Sequence, residues 1–71
     1  MSDITLRVNG TPTVVPATSS IGDLVRLVLG RTGTKGVAVA VDREVVPRSS
    51  WESTATTAGA SVEIVTATAG G

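Results

Sequence analysis

At 71 residues and 7.1 kDa the chain has room for one small domain, and a domain of this size buries only about 60% of its unfolded surface. Six Lys plus Arg balance six Asp plus Glu, so no net field recruits nucleic acid or an anionic membrane, and Trp51 alone offers little for base stacking. Cys and His are both absent, which excludes disulfides, thiolate nucleophiles, imidazole bases and zinc sites of the usual kind. The acids Asp3, Asp23, Asp42, Glu44, Glu52 and Glu63 are scattered and read as solvated faces or caps. Gly30, Gly33 and Gly36 lack the Lys-Ser/Thr ending of a phosphate-binding loop. The expectation is a chain that is not an enzyme and binds no metal or cofactor itself. No apolar run approaches the ~20 residues that span a bilayer, and Met1-Ser2-Asp3 does not open like a signal peptide. The expected compartment is the cytoplasm.

In chain order, Ile4, Leu6 and Val8 alternate with Thr5 and Arg7, the pattern of a half-buried strand. Asn9-Gly10 follows, a pair that tolerates the positive φ values of a type I′ hairpin turn. Pro12 cannot donate to a ladder, so the returning strand, Thr11 to Val15, is expected at a sheet edge, with Pro16 ending it. Ser19 or Ser20 caps a helix, and Ser20 with Asp23 has capping-box spacing. Ile21, Leu24, Val25, Val28 and Leu29 form its apolar stripe, Leu27 falls off it, and Gly30 terminates it. Gly22 weakens it. After a loop from Arg31 to Gly36, Val37-Ala38-Val39-Ala40-Val41 is a strand with Val on one face and Ala on the other. Asp42-Arg43 turns into the short strand Glu44-Val45-Val46, closed by Pro47. Ser49-Ser50-Trp51-Glu52 reads as a capped single turn that lays Trp51 on the core. A polar loop around Gly59 leads to a last strand, in which Val62 and Ile64 alternate with Glu63.

That strand then loses all bulk: Thr66-Ala67-Thr68-Ala69-Gly70-Gly71 ends in a bare Gly-Gly carboxylate. Chain ends are commonly small and frayed. A Gly-Gly end also passes where a branched side chain would be excluded. The single helix stripe must bury against one face of a mixed sheet.

Taken together, Asn9-Gly10, Val15-Pro16, Asp23-Leu24, Lys35 to Val41, Val45-Val46-Pro47-Arg48, Ser49, Trp51, Val62 to Ala67 and Gly70-Gly71 resemble the ThiS-type sulfur carriers of thiamine biosynthesis. The likeness runs from about Ile4 to the C-terminus. It implies an α+β fold, the ubiquitin-like β-grasp: a mixed sheet of four or five strands, one main helix on one face, and the last strand parallel beside the first. It also implies a single domain over residues 1–71, with 67–71 a flexible functional tail. By the same resemblance, Gly71 is the residue adenylated and converted to a thiocarboxylate, while Gly70 and Ala69 thread into the activating enzyme. Implied partners are a ThiF-type E1-like adenylyltransferase carrying ATP and Mg²⁺, a cysteine desulfurase relay, and a ThiG-type thiazole synthase. Three departures stand out. The loop from Leu29 to Gly36 is two residues longer than the pattern, Thr56 replaces an apolar residue, and Ala58-Gly59-Ala60 replaces Asp-Gly-Asp.

Two other readings use the same tail: a sibling carrier serving molybdopterin, cysteine or natural-product sulfur, and a ubiquitin-like modifier joined to lysines. The expected core gathers Leu24, Val28, Val39 and Ile64, with Trp51 at its margin. If the Val faces point inward, Ala38, Ala40, Val65 and Ala67 form an outer patch beside the tail, a candidate partner surface.

Overall fold

Asn9 and Gly10 adopt φ of 50° and 82°, the two positive values that a type I′ turn requires. They fold β1 (Asp3–Val8) back on β2 (Thr11–Pro16), with Arg7 opposite Pro12. The computed structural model describes residues 2–30 and 32–67. Beyond the hairpin come α1 (Ile21–Leu29), β3 (Val37–Val41), β4 (Glu44–Val45), a 3₁₀ segment (Arg48–Ser53) and β5 (Ser61–Thr66). The five strands form one sheet in the order β2-β1-β5-β3-β4. Pro12 therefore lies on an edge strand, where its missing N–H costs no ladder bond.

β5 runs parallel to β1 and antiparallel to β3, so the last strand occupies the sheet centre. The Asn9 side chain extends this junction. Ile64 N donates to its Oδ1 at 2.9 Å, and its Nδ2 donates to the Ile64 carbonyl at 3.1 Å. One carboxamide thus stands in for a backbone unit after β1 has already turned away.

Ser20 is the helix cap, and the box is complete: Asp23 N donates to Ser20 Oγ, and Ser20 N donates to Asp23 Oδ2, both at 3.0 Å. Ser19 is instead buried, and its carbonyl accepts from Thr56 N and from Thr56 Oγ1. Thr56 is buried at its apolar-expected position because that carbonyl satisfies its hydroxyl. Gly30 ends the helix at φ 67°. Gly22 is buried beneath the Glu52 carboxylate: a Cβ there would lie 2.1 Å from Glu52 Oε2 and would displace that exposed side chain.

The core joins Leu6, Val8 and Val15 to Ile21, Leu24, Val25, Val39, Val62 and Ile64. Trp51, 2% exposed, is a full core member rather than a marginal one, and its Nε1 donates to the Val46 carbonyl at 2.9 Å. Val28 does not join it and is 40% exposed. Its angle on the stripe is right, yet it is more exposed than Leu29, the last helix residue, which is partly buried and packed against the core. The buried helix residues are Ile21, Gly22, Leu24 and Val25, all in the first half. The 3₁₀ segment also differs from the expected capped turn: Pro47 holds the N-cap position, and no side chain caps it. Pro47 has no N–H, and its carbonyl accepts from Ser50 N at 2.8 Å, so the segment starts as a bare backbone turn.

Candidate functional site

The site is built at the end of β5. Thr66 pairs with Val37, the first residue of β3. One residue further on, Ala67 N donates to the Gly36 carbonyl at 2.8 Å. Gly36 has φ of 76°, and a Cβ there would lie 3.2 Å from the Ala67 carbonyl oxygen. A glycine is needed here for both its conformation and its clearance. Ala67, the first residue of the expected tail, is therefore held by the loop before β3. Ala69, Gly70 and Gly71 lie outside the described residues.

On the sheet face away from α1, Val65 stands opposite Ala38, and Ala40 stands between Glu63 and Val45. Val65 is 60% exposed and Ala38 is exposed; Ala40 is half-buried; Ala67 is exposed. The register brings Val45 into the same tract, where it is 76% exposed. Its strand was legible in the sequence, but its neighbours across the sheet were not.

The loop before β3 is itself anchored. Arg48 stacks over the buried Trp51 ring, 4.9 Å from its centroid, at a distance where a guanidinium is attracted by the ring face. The same group donates to Thr34 Oγ1 at 2.5 Å and to the Thr34 carbonyl. An open groove of about 410 Å³, lined in part by Val41, Val45 and Pro47, lies towards the other end of β3 from Ala67.

Three charged groups away from this face join the helix to the 3₁₀ segment. Arg26 bridges Glu52 at 2.9 Å and Asp23 at 3.2 Å. The Ser20 backbone N–H, then Arg26, hold the Asp23 carboxyl below its ordinary 3.8. Arg26 holds Glu52 below its ordinary 4.5. Glu52 and Asp23 in turn raise the Arg26 pKa. Among the described residues no group of three or more acids is placed to hold a metal, and no helix is long and apolar enough to cross a membrane.

A small mixed sheet with a central parallel pair and one helix across it defines the class: the chain is a ubiquitin-like β-grasp protein. The model of the ThiS family matches residues 6–71, and the chain belongs to that family, the sulfur carriers of thiamine biosynthesis. It is similar to the crystal structure of the thiamine biosynthesis protein ThiS from Geobacter metallireducens, with a TM-score of 0.75 and 27% identity. That likeness covers 96% of this chain and 100% of the other. No curated protein matches the chain.

Proposed function

We propose that this chain carries sulfur on its terminal carboxyl group. The observation that carries the reading is that the family match runs through residue 71, so the Gly-Gly end belongs to the matched pattern. An α-carboxyl group has a reference pKa of about 3.3–3.7, so it is ionised at neutral pH and ready to act as a nucleophile. A Gly71 carboxylate oxygen attacks the α-phosphorus of ATP on a ThiF-type E1-like enzyme, pyrophosphate leaves, and an acyl-adenylate forms. The terminal sulfur of a persulfide on a cysteine desulfurase relay displaces AMP to give an acyl disulfide, and a thiol reductant cleaves its S–S bond to release the carrier with its sulfur. The resulting thiocarboxylate supplies a ThiG-type thiazole synthase. ATP and Mg²⁺ belong to the activating enzyme, and this chain contributes no catalytic group. The ATP requirement suits the cytoplasm.

Residues 1–71 then act as a single domain, with 67–71 as its functional tail. Ala69 and Gly70 thread into the activating site, where attack geometry is set to within roughly an ångström. The tract of Ala38, Ala40, Val65 and Ala67 is the docking face for that enzyme. The exposed apolar surface of Ala38, Val65 and Ala67 beside the end of β5 supports this.

The test is intact-mass spectrometry after incubation with ATP, Mg²⁺, activating enzyme and a sulfur donor. The wild-type chain is expected to gain one sulfur in place of one oxygen, localised to Gly71. Deleting Gly71 or substituting Gly70→Val abolishes the gain without lowering Tm. Sulfur acquired by the deletion variant overturns the mechanism, and isopeptide adducts on lysines would identify a modifier instead.

A further inference from the structure

We infer that Arg48 is a positioning residue that fixes the end of β5 against the loop before β3. A continuous path of contacts runs from the core to Ala67. Trp51 is locked in the core by its bond to the Val46 carbonyl. Arg48 lies over its ring at 4.9 Å and forks onto the carbonyl and hydroxyl of Thr34. The Thr34 carbonyl also accepts from Val37 N at 3.2 Å, closing the turn that carries Gly36. The Gly36 carbonyl receives the N–H of Ala67 at 2.8 Å.

The geometry matches what each group can do. A guanidinium is planar and presents several donors in a fixed fork, so one face stacks while its edge holds two oxygens. A loop rich in Gly and Thr has little packing of its own and takes its shape from such contacts. Val37, the residue after Gly36, is itself buried in the core, so the Arg48 fork acts on the turn that precedes it. The Ala67–Gly36 bond is the last rung of the β3–β5 pairing among the described residues, and the clamp holds the loop side of it.

This inference rests on the proposed carrier reading only for its consequence, which is that activation depends on where Ala67 is held. The clamp itself is tested without any enzyme, by amide hydrogen exchange on the full chain. In Arg48→Ala, Ala67 N–H exchange is expected to rise at least tenfold, while Val39 and Ile64 amides keep wild-type rates. Gly36→Ala, which presses on the Ala67 carbonyl directly, is expected to do the same. Arg48→Lys keeps the charge but not the fork, and recovers only part of the protection. Unchanged Ala67 exchange in Arg48→Ala overturns the proposal. So does a rise shared equally by Val39 and Ile64, which would mean a general loss of stability. In the activation assay, Arg48→Ala is expected to reduce the adenylation rate at saturating carrier concentration. A wild-type chain that takes no sulfur there counts against the carrier reading alone, since the exchange result still decides the clamp.

Discussion

At the scale of single residues, Asn9 carries two separable functions. Its backbone supplies the positive φ of the turn, and its carboxamide makes two bonds to Ile64 that pin the central strand. Glycine adopts the same φ without strain, so Asn9→Gly isolates the side chain. Two lost bonds at about 1 kcal/mol each predict a destabilisation of about 2 kcal/mol, read from the shift in denaturant midpoint. An unchanged midpoint would mean that water replaces the amide at no cost. Thr56 is a milder case. Thr56→Val keeps the shape and leaves Ser19 O bonded to the Thr56 N–H, so a change of less than about 1 kcal/mol is expected.

At the scale of elements, α1 is joined to the 3₁₀ segment through Arg26, Asp23 and Glu52. Both carboxylates titrate lower in the folded chain than their ordinary values of 3.8 and 4.5. Their contribution is therefore complete above that range and is lost as pH falls through the depressed native values. Tm is expected to decline on acidification below about pH 4.5, and Asp23→Asn with Glu52→Gln should make that decline shallower. Added salt should narrow the difference, because all three groups are substantially exposed. A double variant with an unaltered pH profile would remove these carboxylates from the account. On the opposite face, Val65 is 60% exposed, so Val65→Asp leaves the fold intact. Weakened activation, read as a raised KM for the carrier, is the expected result; unchanged kinetics would exclude that face as the docking surface.

At the scale of the whole molecule, the domain is small enough that single core side chains matter. Leu24 has no exposed surface, and Leu24→Ala should cost about 2–5 kcal/mol, a large part of the about 5–15 kcal/mol typical of a native domain. Val28, two-fifths exposed on the same stripe, should lose far less on truncation to Ala. Equal losses at the two positions, measured by urea denaturation, would contradict the placement of the helix. The organisation also bears on the proposed use of the C-terminal end. The C-terminal strand is central rather than peripheral, so pairing with β1, β3 and the Asn9 side chain holds it up to the point where Gly36 receives Ala67.

Local rules decided much of this in advance. The sequence by itself determined the Asn9-Gly10 turn, the Ser20–Asp23 box, the Gly30 stop, the Val/Ala alternation of β3 and the edge position of β2. Each follows from φ preference, a missing donor or a two- or three-residue spacing, all of which are written into neighbouring residues. The composition likewise removed thiol and imidazole chemistry, and the Gly-Gly end directed attention to the terminal carboxyl. Tertiary structure alone decided the rest. Val28 has the right angle on the helix, yet it is two-fifths exposed while its neighbour Leu29 packs against the core, and that choice depends on what lies across from the last turn. Trp51 became core because Val46 offers its carbonyl, and Val45 joined the outer tract through its register with Ala40. The Arg48–Thr34–Gly36–Ala67 path links residues more than thirty positions apart, and no local preference encodes such a meeting; only closure of the sheet around β5 brings those groups within hydrogen-bonding distance.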